Sequence, residues 1–237
     1  MRKLLLPLTL IALPVIGWAA LPHQHKLVVR GFLYTATSAN PPAPNSSGPD
    51  SVTQSRPISE WSQALITAAR SQIGVTTRYS GAYVRLAYPN GDVDRQTGVC
   101  TDVIVRALRD AHGVDLQKTV HEDMARNFNA YPKNWGLTRP DKNIDHRRVP
   151  NQQRFFQRKG MDMAVTQNPA DYQPGDLVTW TVSGTLPHIG ILSDRMNRAG
   201  THPLVIHNIG AGTHEDDILF AFPITGHYRL TADLGRD

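Results

Sequence analysis

The order in which two periodicities appear limits this chain more than any other feature. Between residues 59 and 160, apolar side chains recur at the three- and four-residue spacing of helices. From residue 176 onward the pattern turns into short β-branched or aromatic runs broken by turn residues. Trp61, Leu65, Ala68, Ala69 and Ile73 predict a helix that Ser59 caps and Gly74 ends. Val103, Ile104, Ala107, Leu108 and Ala111 predict a second, from Thr101 to His112, stopped by Gly113. Asp115 caps a third, with Leu116, Val120 and Met124 on its stripe and Phe128 following. A short fourth is expected over Asn151–Lys159, closed by Gly160. Strands are expected at Asp176–Val182, His188–Ser193, Leu204–Ile209 and Ile218–Phe222, with a fifth near Gly226–Leu230. Helices first and strands afterwards is the order of an α+β fold with an antiparallel sheet, not of an alternating parallel one.

The N-terminal quarter follows neither pattern. Arg2 and Lys3 precede an uncharged apolar run of about 15 residues, followed by small residues at Gly17 and Ala19. Residues 1–20 therefore read as a signal peptide or an N-terminal anchor, and the rest of the chain as exported, to the periplasm or cell envelope. Residues 21–57 are rich in Pro, Ser, Asn and Gly and read as a disordered linker. The remaining stretch, 58–237, has the length of one ordinary domain. The formal charge of +5 includes Arg2 and Lys3, so it is weak evidence for an anionic partner and does not imply nucleic acid.

The chain has one cysteine, which excludes an internal disulfide and any multi-cysteine metal site. Cys100 stands directly before the second helix. Free N–H groups at a helix start stabilise an anion, favouring a thiolate, and can hold an oxyanion during acyl transfer. The other reading of a lone Cys is a small buried hydrophobe. Export favours the nucleophile, since an unpaired exported thiol is a hazard unless used. Such a nucleophile needs a base and the base an orienting group. His188 opens one expected strand and His207 lies on the next, so the two can be neighbours if the strands pair. Asn208 is the fallback orienter on the opposite strand face.

The sequence Cys100 opening a helix, then Gly175-Asp176-Leu177-Val178, then His188-Ile189-Gly190-Ile191, then Val205-Ile206-His207 resembles the NlpC-type cell-wall peptidases, which have a papain-like fold. The segment Ala69–Gly74 followed by Tyr79-Ser80-Gly81 is similar to that family's opening, where a tyrosine lies beside the cysteine. The strings GVCTDV, HEDM, NIDHRRVPN, PHIGI and HNIGAG more specifically resemble the bacterial family called domain of unknown function 1287. The broader resemblance implies N-terminal helices on a five-stranded antiparallel sheet with a helical insertion. It implies Cys100 as nucleophile, His188 as base, His207 as orienter, and Tyr79 as the tyrosine beside the cysteine. It further implies amide hydrolysis in peptidoglycan stem peptides, without cofactor or metal. This chain departs from the usual Asp-Cys-Ser-Gly in reading Val99-Cys100-Thr101-Asp102, and about 75 residues separate Cys100 from Gly175.

Other clusters carry less. His121-Glu122 lacks the second histidine of a zinc-protease helix, since position 125 is Ala. Asn90, Asp92 and Asp94 read as turn residues, and His214, Glu215, Asp216 and Asp217 as a solvated turn. Asp145, His146, Arg147 and Arg148 are either a substrate-carboxylate site or an ion-pair knot that pins the insertion. The expected partner is peptidoglycan or another envelope amide or ester. The protein is expected to be a monomer, with membrane contact only through residues 1–20 if these are retained. Two functions stand side by side at this point: a cysteine hydrolase (or acyltransferase or thioesterase) and a non-catalytic wall-binding domain on the same fold.

Overall fold

The computed structural model describes residues 58–235, so the expected signal peptide or anchor (1–20) and the expected linker (21–57) lie outside the described residues. Four helices precede most of the sheet: α1 (Glu60–Arg70), α2 (Cys100–His112), α3 (Leu116–Asn127) and α4 (Val149–Arg158). All four coincide within two or three residues with the helical patterns, apart from the turns that continue α1 towards Gly74. Ser59 accepts the Ser62 N–H at the start of α1, and Asp115 accepts the Lys118 N–H at the start of α3.

Two tiny strands, β1 (Arg78–Tyr79) and β2 (Thr97–Gly98), pair in parallel ahead of α2. The main sheet contains β3 (Asp162–Met163), β4 (Leu177–Val182), β5 (Leu186–Met196), β6 (Pro203–His207), β7 (His214–Asp216) and β8 (Ile224–Tyr228). Its order is β3-β8-β4-β5-β6-β7, antiparallel throughout. The fold is thus α+β, with six strands in place of the five expected. Two of the sequence readings are corrected. Residues 218–222 form a turn, because Ile218 and Leu219 serve as plugs for the sheet's second core and the Leu219 carbonyl accepts the Trp180 indole N–H at 2.9 Å. His214–Asp216, read as a solvated turn, is the edge strand β7.

The sheet has apolar packing on both faces. Leu177, Ile189, Ile191, Ile206 and Tyr228 join the helices in one core. Val178, Trp180, Val182, Leu192 and Val205 form the other with Tyr172, Ile218 and Leu219. Helix α2 runs through the middle, and its residues from Cys100 to Leu108 are all buried. That includes polar side chains, each with a partner. Arg106 is fully buried and gives its guanidinium to Asp92, to Thr76 and to the Val93, Asp94 and Thr97 carbonyls. Asp92 therefore serves as the counter-ion that fixes the loop before Cys100.

Candidate active site

Cys100 is the first residue of α2, and its position is held from three sides. Asp102, two residues on, turns its carboxylate back to accept the Val99 N–H at 2.7 Å, which satisfies a backbone donor at the helix start. The Asn208 side-chain amide donates to the Gly98 carbonyl at 3.1 Å. The ladder of β1 on β2 continues in the Ser80 N–H to Gly98 carbonyl bond at 3.1 Å, and so lays Tyr79 alongside. Asn208 is thus committed to the chain before the cysteine and does not orient a histidine, so the fallback role is withdrawn. Tyr79 lies within electrostatic reach of Cys100, and burial together with the Cys100 and Asp102 charges pushes its phenol well up.

The thiol is 5% exposed. Burial pushes it up to about 12, against the pull of the Ile189, Thr101 and Cys100 backbone N–H groups. The expectation of a thiolate stabilised by the helix start is therefore corrected: the helix start acts in the expected direction, and desolvation outweighs it. The Ile189 backbone N–H that favours the ionised thiol belongs to the residue after His188. Pro187, the residue before His188, lines the same cleft as Cys100. The histidine is thus bracketed by two neighbours of the cysteine.

His188 and His207 come together through strand pairing. β5 and β6 are antiparallel, with Ile191 opposite Ile206 and Leu192 opposite Val205. The His188 Nε2 and His207 Nδ1 atoms are 3.0 Å apart, and both residues are buried. Gly190 makes that approach possible. A Cβ there would lie 2.5 Å from Val205 Cγ1 and 3.2 Å from His207 Cβ. Trp180, directly opposite His188 on β4, tilts its ring beside the imidazole at a centroid separation of 5.9 Å. Burial first, then the neighbouring His207, hold the His188 imidazole well below its ordinary value, so it is neutral at pH 7.

The file continues beyond His207. Its Nε2 lies 3.1 Å from Asp216 Oδ2. Asp216 is opposite Val205 in the β6–β7 register and therefore on the His207 face. The His207 hydrogen bond holds the Asp216 carboxyl below its usual range. Its neighbour Glu215 turns the other way, where Arg70, Arg195 and Ser193 hold it, and this anchors the short strand. For neutral rings, hydrogen-bond bookkeeping assigns the tautomers. A carboxylate only accepts, so His207 carries its proton on Nε2 and offers Nδ1 as an acceptor. His188 must then donate from Nε2, which leaves its Nδ1 lone pair as the free base. Asp216 was not legible as a site residue: it sits among His214, Glu215 and Asp217, and a three-residue edge strand carries too little alternation to separate it from a polar turn.

The candidate binding cluster divides. Arg147 donates two parallel hydrogen bonds to the Asp102 carboxylate, Nε to Oδ1 and Nη2 to Oδ2, both 2.8 Å and both side chains buried. The Thr101 hydroxyl donates to the Arg147 carbonyl at 2.9 Å. Thr101 and Asp102, two of the three departures from the resembling family's pattern, are thus the points at which the insertion docks on the nucleophile's helix. His146 is buried, its Nδ1 has no partner, and desolvation lowers it to about 4. Asp145 accepts the Asp141 N–H and pairs with Arg148 at 2.9 Å. Of the four, Arg147 and Arg148 reach the cleft of about 350 Å³ in front of Cys100, along with Tyr79, Trp135 and Pro187. Among the described residues no group of three or more His, Cys, Asp or Glu side chains is disposed to hold a metal, and no helix is long and apolar enough to cross a membrane.

Fold and site together define an α+β domain whose helix-start cysteine borders a cleft and whose adjoining strands carry a file of two histidines and an aspartate. The chain belongs to the family described as domain of unknown function (DUF1287), whose model matches residues 66–230. It is 56% identical over 166 residues to the Escherichia coli (strain K12) protein described as Uncharacterized protein YijF, a match covering 70% of this chain and 80% of that one.

Proposed function

We propose that this chain is an exported cysteine hydrolase of papain-like, NlpC-type organisation that cleaves amide bonds, with peptidoglycan stem peptides as the substrate. The observation that carries this reading is the hydrogen-bonded file Asp216–His207–His188, whose tautomers leave a basic nitrogen on the histidine bracketed by neighbours of Cys100. In the reaction, Cys100 Sγ attacks the carbonyl carbon and its proton passes to His188 Nδ1. The Thr101 and Cys100 N–H groups at the start of α2 supply donors for the oxyanion. Collapse of the tetrahedral adduct breaks the C–N bond, and the amine leaves with the proton from His188. Water, deprotonated by the same nitrogen, then splits the thioester and restores the thiol.

A neutral thiol beside a neutral imidazole suits this sequence, because the proton moves only as the C–S bond forms. The same pair can act on esters, which makes a thioesterase or acyltransferase a close variant. A non-catalytic wall-binding domain is the second reading, and the low exposure and raised pKa of Cys100 favour it. The protein is proposed to act as a monomer in the periplasm or envelope, without nucleic acid, touching the membrane only through residues 1–20 if these remain attached.

Digestion of purified peptidoglycan separates the readings. Wild type is expected to release fragments whose masses report one new amine and one new carboxyl, and Cys100→Ala to release none. Identical products from both proteins would overturn the hydrolase.

A further inference from the structure

The cleft in front of Cys100 is chemically lopsided. Arg147 and Arg148 are the charged residues of its wall, and no carboxylate lines it. The two arginines differ in what they have left to offer. Arg147 is matched inside the protein: two of its N–H groups face Asp102, and its Nη1 and Nη2 also reach the Ala82 and Ser80 carbonyls at 3.3 Å. Arg148 gives Nη1 to Asp145 and lays its guanidinium over the Trp135 ring, 4.0 Å from the centroid. Its Nε and Nη2 have no hydrogen-bond partner among the described residues. Asp145 is itself divided, since its other oxygen accepts the Asp141 N–H.

A guanidinium fixed flat on an indole has already lost much of its rotamer freedom, so an incoming group recovers more of the contact energy. Donors on one edge of a planar fork match the two oxygens of a carboxylate. We propose that Arg148, held against Trp135, is a carboxylate-binding subsite of the Cys100 cleft. The compound acted on then bears a carboxylate near the carbonyl that Cys100 attacks. This rests on the reading of Cys100 as the reacting group and narrows the substrate class to anionic acyl compounds.

Cys100 is the chain's one cysteine, so its alkylation reports on this cleft alone. Iodoacetate and iodoacetamide are close in size and differ in a carboxylate against a neutral amide. With either, the sulfur attacks the CH2 carbon, a C–S bond forms as the C–I bond breaks, iodide leaves, and the thiol proton goes to His188 or water. The rates are read on the full chain by intact mass near pH ~8.5, where thiols begin to ionise. The quantity of interest is the iodoacetate-to-iodoacetamide rate ratio, folded against urea-unfolded.

The folded ratio is expected to exceed the unfolded one by about fivefold, as one charge-assisted contact allows. It should fall in about 0.5 M NaCl, return to the unfolded value in Arg148→Gln and be kept in part by Arg148→Lys. A folded ratio equal to the unfolded one and indifferent to salt overturns the proposal, and that comparison needs no variant to fold. Failure of both reagents to reach Cys100 in the folded protein overturns it too, because the subsite must deliver an anion to that sulfur. Cys100-dependent wall digestion with a flat ratio would sink the subsite alone. A raised, Arg148-dependent ratio without digestion would sink the proposed substrate while leaving the subsite.

Discussion

At the scale of single residues, the site is a question of which atom carries which proton. Asp216 is 51% exposed at its side chain, while the two histidines it governs are buried. It acts through His207 and touches no reacting atom in the proposed chemistry, so it is a positioning residue. Asp216→Ala should leave the fold intact, since Glu215 anchors β7. It should lower the Cys100-dependent rate about tenfold by releasing the His207 tautomer, with Asp216→Asn, which can still accept, keeping most of it. A steady-state assay that finds both variants equal to wild type would remove Asp216 from the file. Cys100, His188 and His207 stand out in the sequence because a lone thiol and strand alternation are local signals. The sequence concealed Asp216, whose role depends on β7 pairing with β6. It also overstated the thiolate, because a helix start is visible in a string of letters and burial is not.

At the scale of elements, the helices were legible because caps and apolar stripes are properties of neighbouring residues. The sheet was less so. Residues 218–222 have the composition of a strand and form a turn, since their side chains close the second core beneath Trp180. β3, two residues long, has no periodicity to read. The docking of the insertion on α2 was invisible, although Thr101 and Asp102 stood among the departures from the resembling family. The Asp102–Arg147 pair is buried and doubly bonded, and removing one charge strands the other. Asp102→Asn should therefore cost about 3 kcal/mol of stability and loosen the loop before Cys100. Urea unfolding measures this, and a midpoint within experimental error of wild type would contradict it.

At the scale of the whole molecule, buried neutral groups set the pH range of stability. His188 and His146 are both held below the ordinary 6.5, the latter at about 4. As pH falls through 6.5 the unfolded chain takes up protons that the folded chain refuses, so stability is lost on the acid side. Cys100 is held above its ordinary 9.0, at about 12. As pH rises through 9.0 the unfolded thiol ionises first, so stability is lost on the alkaline side as well. Thermal unfolding across pH should give a plateau between these limits. Cys100→Ala should flatten the alkaline limb, and His146→Gln the acid one. An unchanged alkaline limb in Cys100→Ala would show that the buried thiol is not its source.

The direction of the hydrogen bonds in the file Asp216–His207–His188 decides whether His188 Nδ1 keeps the lone pair that the proposed chemistry requires. Two-bond proton–nitrogen NMR correlations of the histidine rings read it directly. At neutral pH, both rings should carry a proton on Nε2, with His188 Nδ1 bare. A His188 protonated on Nδ1, or a His207 with its proton on Nδ1, would reverse the file, leave Cys100 without a base, and contradict the cysteine-hydrolase reading.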